Sequence, residues 1–265
     1  DTWNVVGDLK GTTGSDEWLV YGAHYEGHDI AVGALDDATG AAVVMELGRT
    51  LAKEKEHLKH NIRFICFGAE EIGLYGSRAY CEAHPDFMEK IRFMMNFDAA
   101  GRAGRQGFCL HGWHKLEPLF REVINEIGVD LPLWARVGPY SDHWPFLLQG
   151  VATATMGDPD EAAKRGGRGF GHTKYDTVDK ADLRAMRECA GNAAVLAFKI
   201  VNMDTWDYPQ RTQKEVDEII DNAGIHETVR LGLKLKEYLE KKRETLRPET
   251  IVYLDRLSGS KEEVI

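Results

Sequence analysis

The chain has 265 residues, a net charge of −10 and 43% hydrophobic residues. That length supports one sizeable core, and the composition excludes wholesale disorder, a collagen-like chain or a coiled-coil rod. An excess of 43 acidic over 33 basic residues argues against a nucleic-acid binder, and no run of about 18 apolar residues offers a membrane span.

In chain order, Glu17 to His24 is the first predicted strand, short and rich in apolar and aromatic residues. Thr39 to Lys55 follows as a helix, with Ala42, Val43, Leu47 and Leu51 at helical spacing and Thr39 as its expected N-cap. Asn61 to Gly68, Ile91 to Phe97 and Val151 to Met156 are the next strands, with a helix over Lys115 to Ile127 before the last of them. A glycine-rich loop, Gly166 to Gly171, leads to a long amphipathic helix over Asp179 to Val201. Strands alternating with helices predict an α/β domain with a largely parallel central sheet. Beyond Trp206 the chain becomes more charged, and surface helices are expected over Gln213 to Ala223 and Glu227 to Thr245. The expected division is a catalytic domain over 1–203 and a helical extension over 204–265, packed on the domain or used in a homo-oligomer.

Ligands of open α/β sheets bind beyond the carboxyl ends of the strands. Here those exits carry His24, Glu70 with Glu71, and Asp98, while Asp36 and Asp37 lie between the first strand and its helix. The loop after the fourth strand reaches His172. Three carboxylates and two imidazoles suit a pair of divalent ions, most naturally zinc. A further unligated carboxylate is then needed to carry a proton. The adjacent Glu70 and Glu71 suit that division, one for metal and one as base.

Six stretches carry a specific resemblance. They are Gly22 to Tyr25, Gly33 to Gly40, Gly68 to Ser77, Asn96 to Asp98, Ser141 to His143 and Gly171 to Thr177. In this order, over residues 4–203, the sequence resembles the M28 family of zinc peptidases, the aminopeptidase and glutamate-carboxypeptidase group. The resemblance implies a three-layer α/β/α sandwich of the phosphorylase/peptidase type, with a mostly parallel mixed sheet and the C-terminal helices added to it. It implies two zinc ions per chain, with Asp36 bridging, His24 and Asp98 on one ion and Glu71 and His172 on the other. Glu70 becomes the general base and acid, and a zinc-bound hydroxide the nucleophile. A cis bond between Asp36 and Asp37 is also implied, as is export from the cell.

Asp37, Asp142 and His143 are candidates to orient ligands or line the pocket. Tyr140, Trp144, Phe170 and Tyr175 are candidates for an apolar pocket, with core packing as the competing role. His28 lies between two proposed ligands and is the remaining histidine best placed to approach substrate. His57 and His60 are expected to be solvated, and His84, His111, His114 and His226 to have ordinary structural roles. Cys66, Cys81, Cys109 and Cys189 form no CxxC or dense framework, so neither a zinc finger nor a disulfide scaffold is expected.

The leading expectation is a di-zinc aminopeptidase acting on peptides. Alternatives are a carboxypeptidase or dipeptidase of the same family, with Arg136, Arg165 or Arg168 receiving a terminal carboxylate, then a single-zinc glutaminyl cyclase-like transferase, then a non-catalytic binding domain. The start at Asp1, without a leader-like segment, predicts a cut from a longer protein, with an N-terminal segment or inserted protease-associated domain removed.

Overall fold

A computed structural model describes residues 2–159 and 169–225, with positions 241 and 245. Its seven strands are β1 (Val5–Leu9), β2 (Trp18–His24), β3 (Asn61–Phe67), β4 (Ile91–Asn96), β5 (Gly107–Leu110), β6 (Leu133–Ala135) and β7 (Thr153–Gly157). They form one sheet in the order β1-β3-β2-β4-β7-β5-β6. The interior pairs β3–β2, β2–β4 and β4–β7 are parallel, as is β5–β6, whereas β1–β3 and β5–β7 are antiparallel. The mostly parallel mixed sheet is therefore present.

The helices are α1 (Thr39–Leu51), α2 (Tyr75–Ala83), the single turn α3 (Pro85–Met88), α4 (Glu117–Ile127), α5 (His143–Leu148), α6 (Leu183–Asn202) and α7 (Gln213–Asn222). Every residue of β2 is buried, as a strand covered on both faces requires. Its side chains alternate between two cores. Leu19, Tyr21 and Ala23 join residues of α1, α4 and α6, including Leu47, Phe120 and Leu196. Val20 joins Phe67, Met94, Tyr80 of α2 and Phe146 of α5. One core on each face makes the three-layer sandwich.

Several elements escape the sequence patterns. The edge strands β1 and β6 and the neighbouring β5 are only three to five residues long, and α2 and α5 are too short to show a helical period. Thr39 is not the N-cap of α1; its Oγ1 donates to the Leu35 carbonyl at 2.9 Å, and Asp37 accepts from Gly40 N instead. The helix ends at Leu51, and Ala52–His57 continues as a 3₁₀ turn. At the other end of the domain, Asp182 caps α6 by accepting from Arg184 N and Ala185 N, so that helix starts at Leu183 rather than Asp179.

His60 is buried, not solvated, with Nε2 3.0 Å from the Met203 carbonyl. All four cysteines are free. Packing divides the chain into two compact units, 1–216 and 217–265. The helix expected over Glu227 to Thr245 lies almost wholly outside the described residues, and the loop from Gly166 to Gly171 does so in part, along with Arg165 and Arg168. Among the described residues no helix is long and apolar enough to cross a membrane.

Candidate metal centre

Three neighbouring parallel strands deliver the site. His24 ends β2, Glu70 and Glu71 follow β3, and Asp98 follows β4. In the register, His24 lies opposite Phe67 and Gly22 opposite Asn96, so the three exits stand side by side. Asp36 enters from the loop before α1, and His172 from the loop before α6.

Two clusters result. His24, Glu70 and Asp98 each offer a ligand atom within 4.8 Å of the others, and so do Asp36, Glu71 and His172. Asp36 joins them, with Oδ1 3.3 Å from His24 Nε2 and Oδ2 3.5 Å from His172 Nε2. His172 Nε2 stands 2.6 Å from Glu71 Oε2. All six sequence-predicted residues thus converge.

Supports for this constellation are built into the backbone. The Asp36–Asp37 peptide is cis. Asp37 is wholly buried and its Oδ1 accepts from Gly40 N at 2.9 Å and Ala99 N at 2.8 Å, tying the Asp36 loop to the Asp98 turn. Only glycine fits at position 40, because a Cβ there would stand 1.9 Å from the Phe97 carbonyl oxygen. Buried Asp176 accepts from Leu35 N at 2.6 Å and Asp36 N at 3.2 Å. Glu26 accepts from both Glu70 N and Glu71 N, the latter at 3.1 Å. Its carbonyl lies 2.9 Å from His24 Nδ1, which directs Nε2 toward the cluster.

Crowding of acids in a buried site shifts their protonation. Burial pushes Glu70 up to about 9, and the charge of Asp98 adds to this. Asp98 is itself raised, by desolvation and by Asp36. Burial disfavours a charge on His24, but the contact with Asp36 and the charges of Asp37, Asp98 and Glu70 reverse this and hold it well above its ordinary value. Asp142 is wholly buried and pushed up to about 7 by desolvation, with His24 and Asp98 among the charges it feels. It makes no side-chain cap on α5.

These residues fit divalent ions. His24 Nε2 is buried without a well-formed hydrogen bond, and its nearest partners are carboxylate oxygens of Asp36 at 3.3 Å and Glu70 at 3.9 Å. The donor set, imidazole nitrogen and carboxylate oxygen, is that of zinc.

The clusters open into a cavity of about 700 Å³. Tyr140, His143 and Phe170 line it, and so does Arg136. Trp144 instead belongs to the core at 4% exposure, and Tyr175 projects outward without lining the cavity. His28 stacks on His172 with ring centroids 4.8 Å apart. His111 also lines the cavity, with its ring centroid 3.9 Å from that of His143. Burial holds both rings neutral, pulling His143 down to about 4 and His111 well below its usual value.

Sequence reasoning missed Glu26 and Asp176. Glu26 sits two residues after His24, which is a weak signal. Asp176 lies inside the matched stretch from Gly171 to Thr177, yet its hydrogen-bond partners are 140 residues away in the chain.

This is an α/β sandwich with a two-cluster carboxylate–imidazole centre at its strand exits. The profile of Peptidase family M28 matches residues 4–197, and the chain belongs to that family. Aminopeptidase YwaD of Bacillus subtilis is 27% identical, over 76% of this chain and 45% of the relative. Carboxypeptidase Q of Mus musculus is 26% identical, over 77% of this chain and 43% of the relative. The chain thus spans less than half the length of both curated relatives. A solved zinc aminopeptidase from Bacillus subtilis superposes with a TM-score of 0.65 and 25% identity, covering 78% of this chain and 52% of its own.

Proposed function

We propose that the chain is a di-zinc exopeptidase of the aminopeptidase type, with catalysis in residues 1–203. One observation carries this reading: the two carboxylate oxygens of Asp36 face two different histidines, at 3.3 and 3.5 Å. A single carboxylate shared in this way is what a pair of neighbouring cations requires. In this reading His24 and Asp98 would hold one zinc and Glu71 and His172 the other, with Asp36 shared between them. Bound zinc supplies Lewis acidity toward a peptide carbonyl and lowers the pKa of water.

The protein's own part is positioning and proton transfer. Glu70 adjoins the ligand Glu71 and lines the cavity. Its carboxylate takes a proton from the attacking water and returns it to the leaving amine. Asp37, Asp176 and Glu26 hold the ligand-bearing turns in place through backbone N–H groups. The relatives named as aminopeptidase and carboxypeptidase support hydrolysis of peptides as the class of reaction.

The test is Glu70→Gln assayed on free and N-blocked peptides with metal content measured in parallel. A loss of about 10²-fold or more in kcat with zinc retained is expected, the scale of general acid–base catalysis. Near-normal turnover would remove Glu70 from the proton-carrying role. Cleavage of blocked peptides alone would remove the aminopeptidase assignment.

A further inference from the structure

Two imidazole rings from distant segments meet at the edge of the centre. His172 lines the cavity, whereas His28, stacked on it, does not. Their centroids lie 4.8 Å apart with 28° between the ring planes, within the usual separation of aromatic pairs. His28 thus backs a proposed ligand and does not face the cavity.

His172 is the ligand for which such backing matters most. Its side chain is 23% exposed, against 7% or less for those of His24, Asp36 and Glu71. Its backbone stands at φ 59°, in the left-handed region that residues with a Cβ seldom adopt. Such a conformation persists only where surrounding contacts hold it. A metal ligand must also present its nitrogen in one direction, and any rotation restricted beforehand is not lost when the ion binds.

His28 is itself held. Residues 27–33 leave the exit of β2 and return to their own start. A Cβ on Gly27 would stand 2.6 Å from Gly33 Cα, and one on Gly33 would stand 2.9 Å from Gly27 Cα. Either Cβ would also lie 3.2 Å from the Asp36 carbonyl oxygen. Two glycines therefore close the neck of the loop beside the backbone of Asp36. Inside the loop, Ala31 N donates to the His28 carbonyl at 2.8 Å, which fixes the His28 backbone in a turn. The Gly33 carbonyl accepts from Ala38 N at 3.0 Å, and His28 Nδ1 lies 2.8 Å from Asp29 Oδ1. The loop reaches the centre at two points, Asp36 through its neck and His172 through the stacked ring.

Resting on the di-zinc reading, we propose that His28 is a positioning residue for His172, its ring fixing the plane of the imidazole that would share a zinc with Glu71. His28 raises affinity at that site without touching the ion or the substrate.

The experiment measures zinc binding to the full chain by competition against a chromophoric chelator. It compares the unaltered protein with His28→Ala and His28→Phe, and circular dichroism verifies the fold. His28 is only partly buried, so its replacement leaves the cores intact. His28→Ala is expected to weaken one of the two zinc steps about tenfold, the lower end of what support of a metal ligand supplies, and to leave the other within about twofold. His28→Phe keeps an aromatic face and is expected to stay within about threefold of the unaltered protein at both steps. In the metal-free protein, the ring-proton resonances of His172, followed by NMR, are expected to move in His28→Ala as the facing ring is removed.

Unchanged zinc affinity in His28→Ala overturns the proposal. An equal loss at both steps does so too, as does a loss in His28→Phe as large as that in His28→Ala. If the unaltered protein takes up fewer than two zinc ions, the di-zinc reading fails instead. The His172 resonances of the metal-free protein then decide the positioning role: movement in His28→Ala that His28→Phe does not share in full sustains it, and unchanged resonances overturn it.

Discussion

Replacing Asp176 with Asn tests whether the centre depends on its backbone supports. The carboxylate accepts from Leu35 N at 2.6 Å and Asp36 N at 3.2 Å, and Asp176 is wholly buried. Asparagine keeps the volume but offers one acceptor oxygen, so its NH₂ group faces a backbone N–H. One buried donor is left unpaired, which costs about 1–3 kcal/mol. Because Asp36 N is one of the two donors, that cost falls on the loop that presents the Asp36 carboxylate. A support of this kind is worth about 10–100-fold in metal affinity. Competition against a chromophoric chelator measures zinc affinity directly, with circular dichroism to show that the fold persists. Zinc affinity within twofold of the unaltered protein would refute the reasoning, and would mean that Asp36 is held by its other contacts.

Other perturbations reach different layers of the structure. Asp36→Asn is expected to lower zinc content itself, because it weakens the group shared by both clusters, whereas Glu70→Gln leaves content intact; elemental analysis separates the two. Gly40→Ala places a Cβ 1.9 Å from the Phe97 carbonyl oxygen and 2.3 Å from Asp37 Oδ2. Overpacking of a well-packed site costs about 1–3 kcal/mol, and a clash with backbone should reach the upper end as a lowered urea midpoint. His143 has a folded-state pKa of about 4, below the usual 6.5. A buried neutral histidine contributes stability in full above the unfolded value and loses it as pH falls toward the folded one. Between pH 6.5 and 4 this loss is on the order of 3 kcal/mol, and urea melts of His143→Gln against the parent should show that part of the slope removed.

The fold was legible where the physics is local. Val20 to Ala23 lies in a strand whose two faces are both covered, and Ile62 to Phe67 is apolar except for Arg63, so burial leaves a signature in the sequence. The edge strand Val5–Leu9 has mostly exposed residues and pairs with β3 across more than 50 intervening residues, so nothing local marks it. The same division holds at the centre. His24, Asp36, Glu70, Glu71, Asp98 and His172 are recognisable because imidazole and carboxylate groups recur at the strand exits in a particular order. Asp176 and Glu26 act by accepting from backbone N–H groups, which every residue but proline offers, so their partners carry no residue-type mark. His60 was misread because the charged stretch before it suggested solvent, while α6 and the Met203 carbonyl cover it.

The parallel alignment of β3, β2 and β4 has a consequence for how the centre withstands wear. Adjacent strands lie about 4.8 Å apart, so three neighbouring exits form a comb about 10 Å wide, across which His24, Glu70, Glu71 and Asp98 are spread. The teeth of that comb are set by ladder hydrogen bonds deep in the sandwich, between residues that never meet substrate. Loops around the cavity other than those that carry Asp36 and His172 can therefore drift, lengthen or exchange charge without altering the spacing of the strand exits. Selectivity and chemistry are inherited from different parts of the chain, and each is free to change at its own pace.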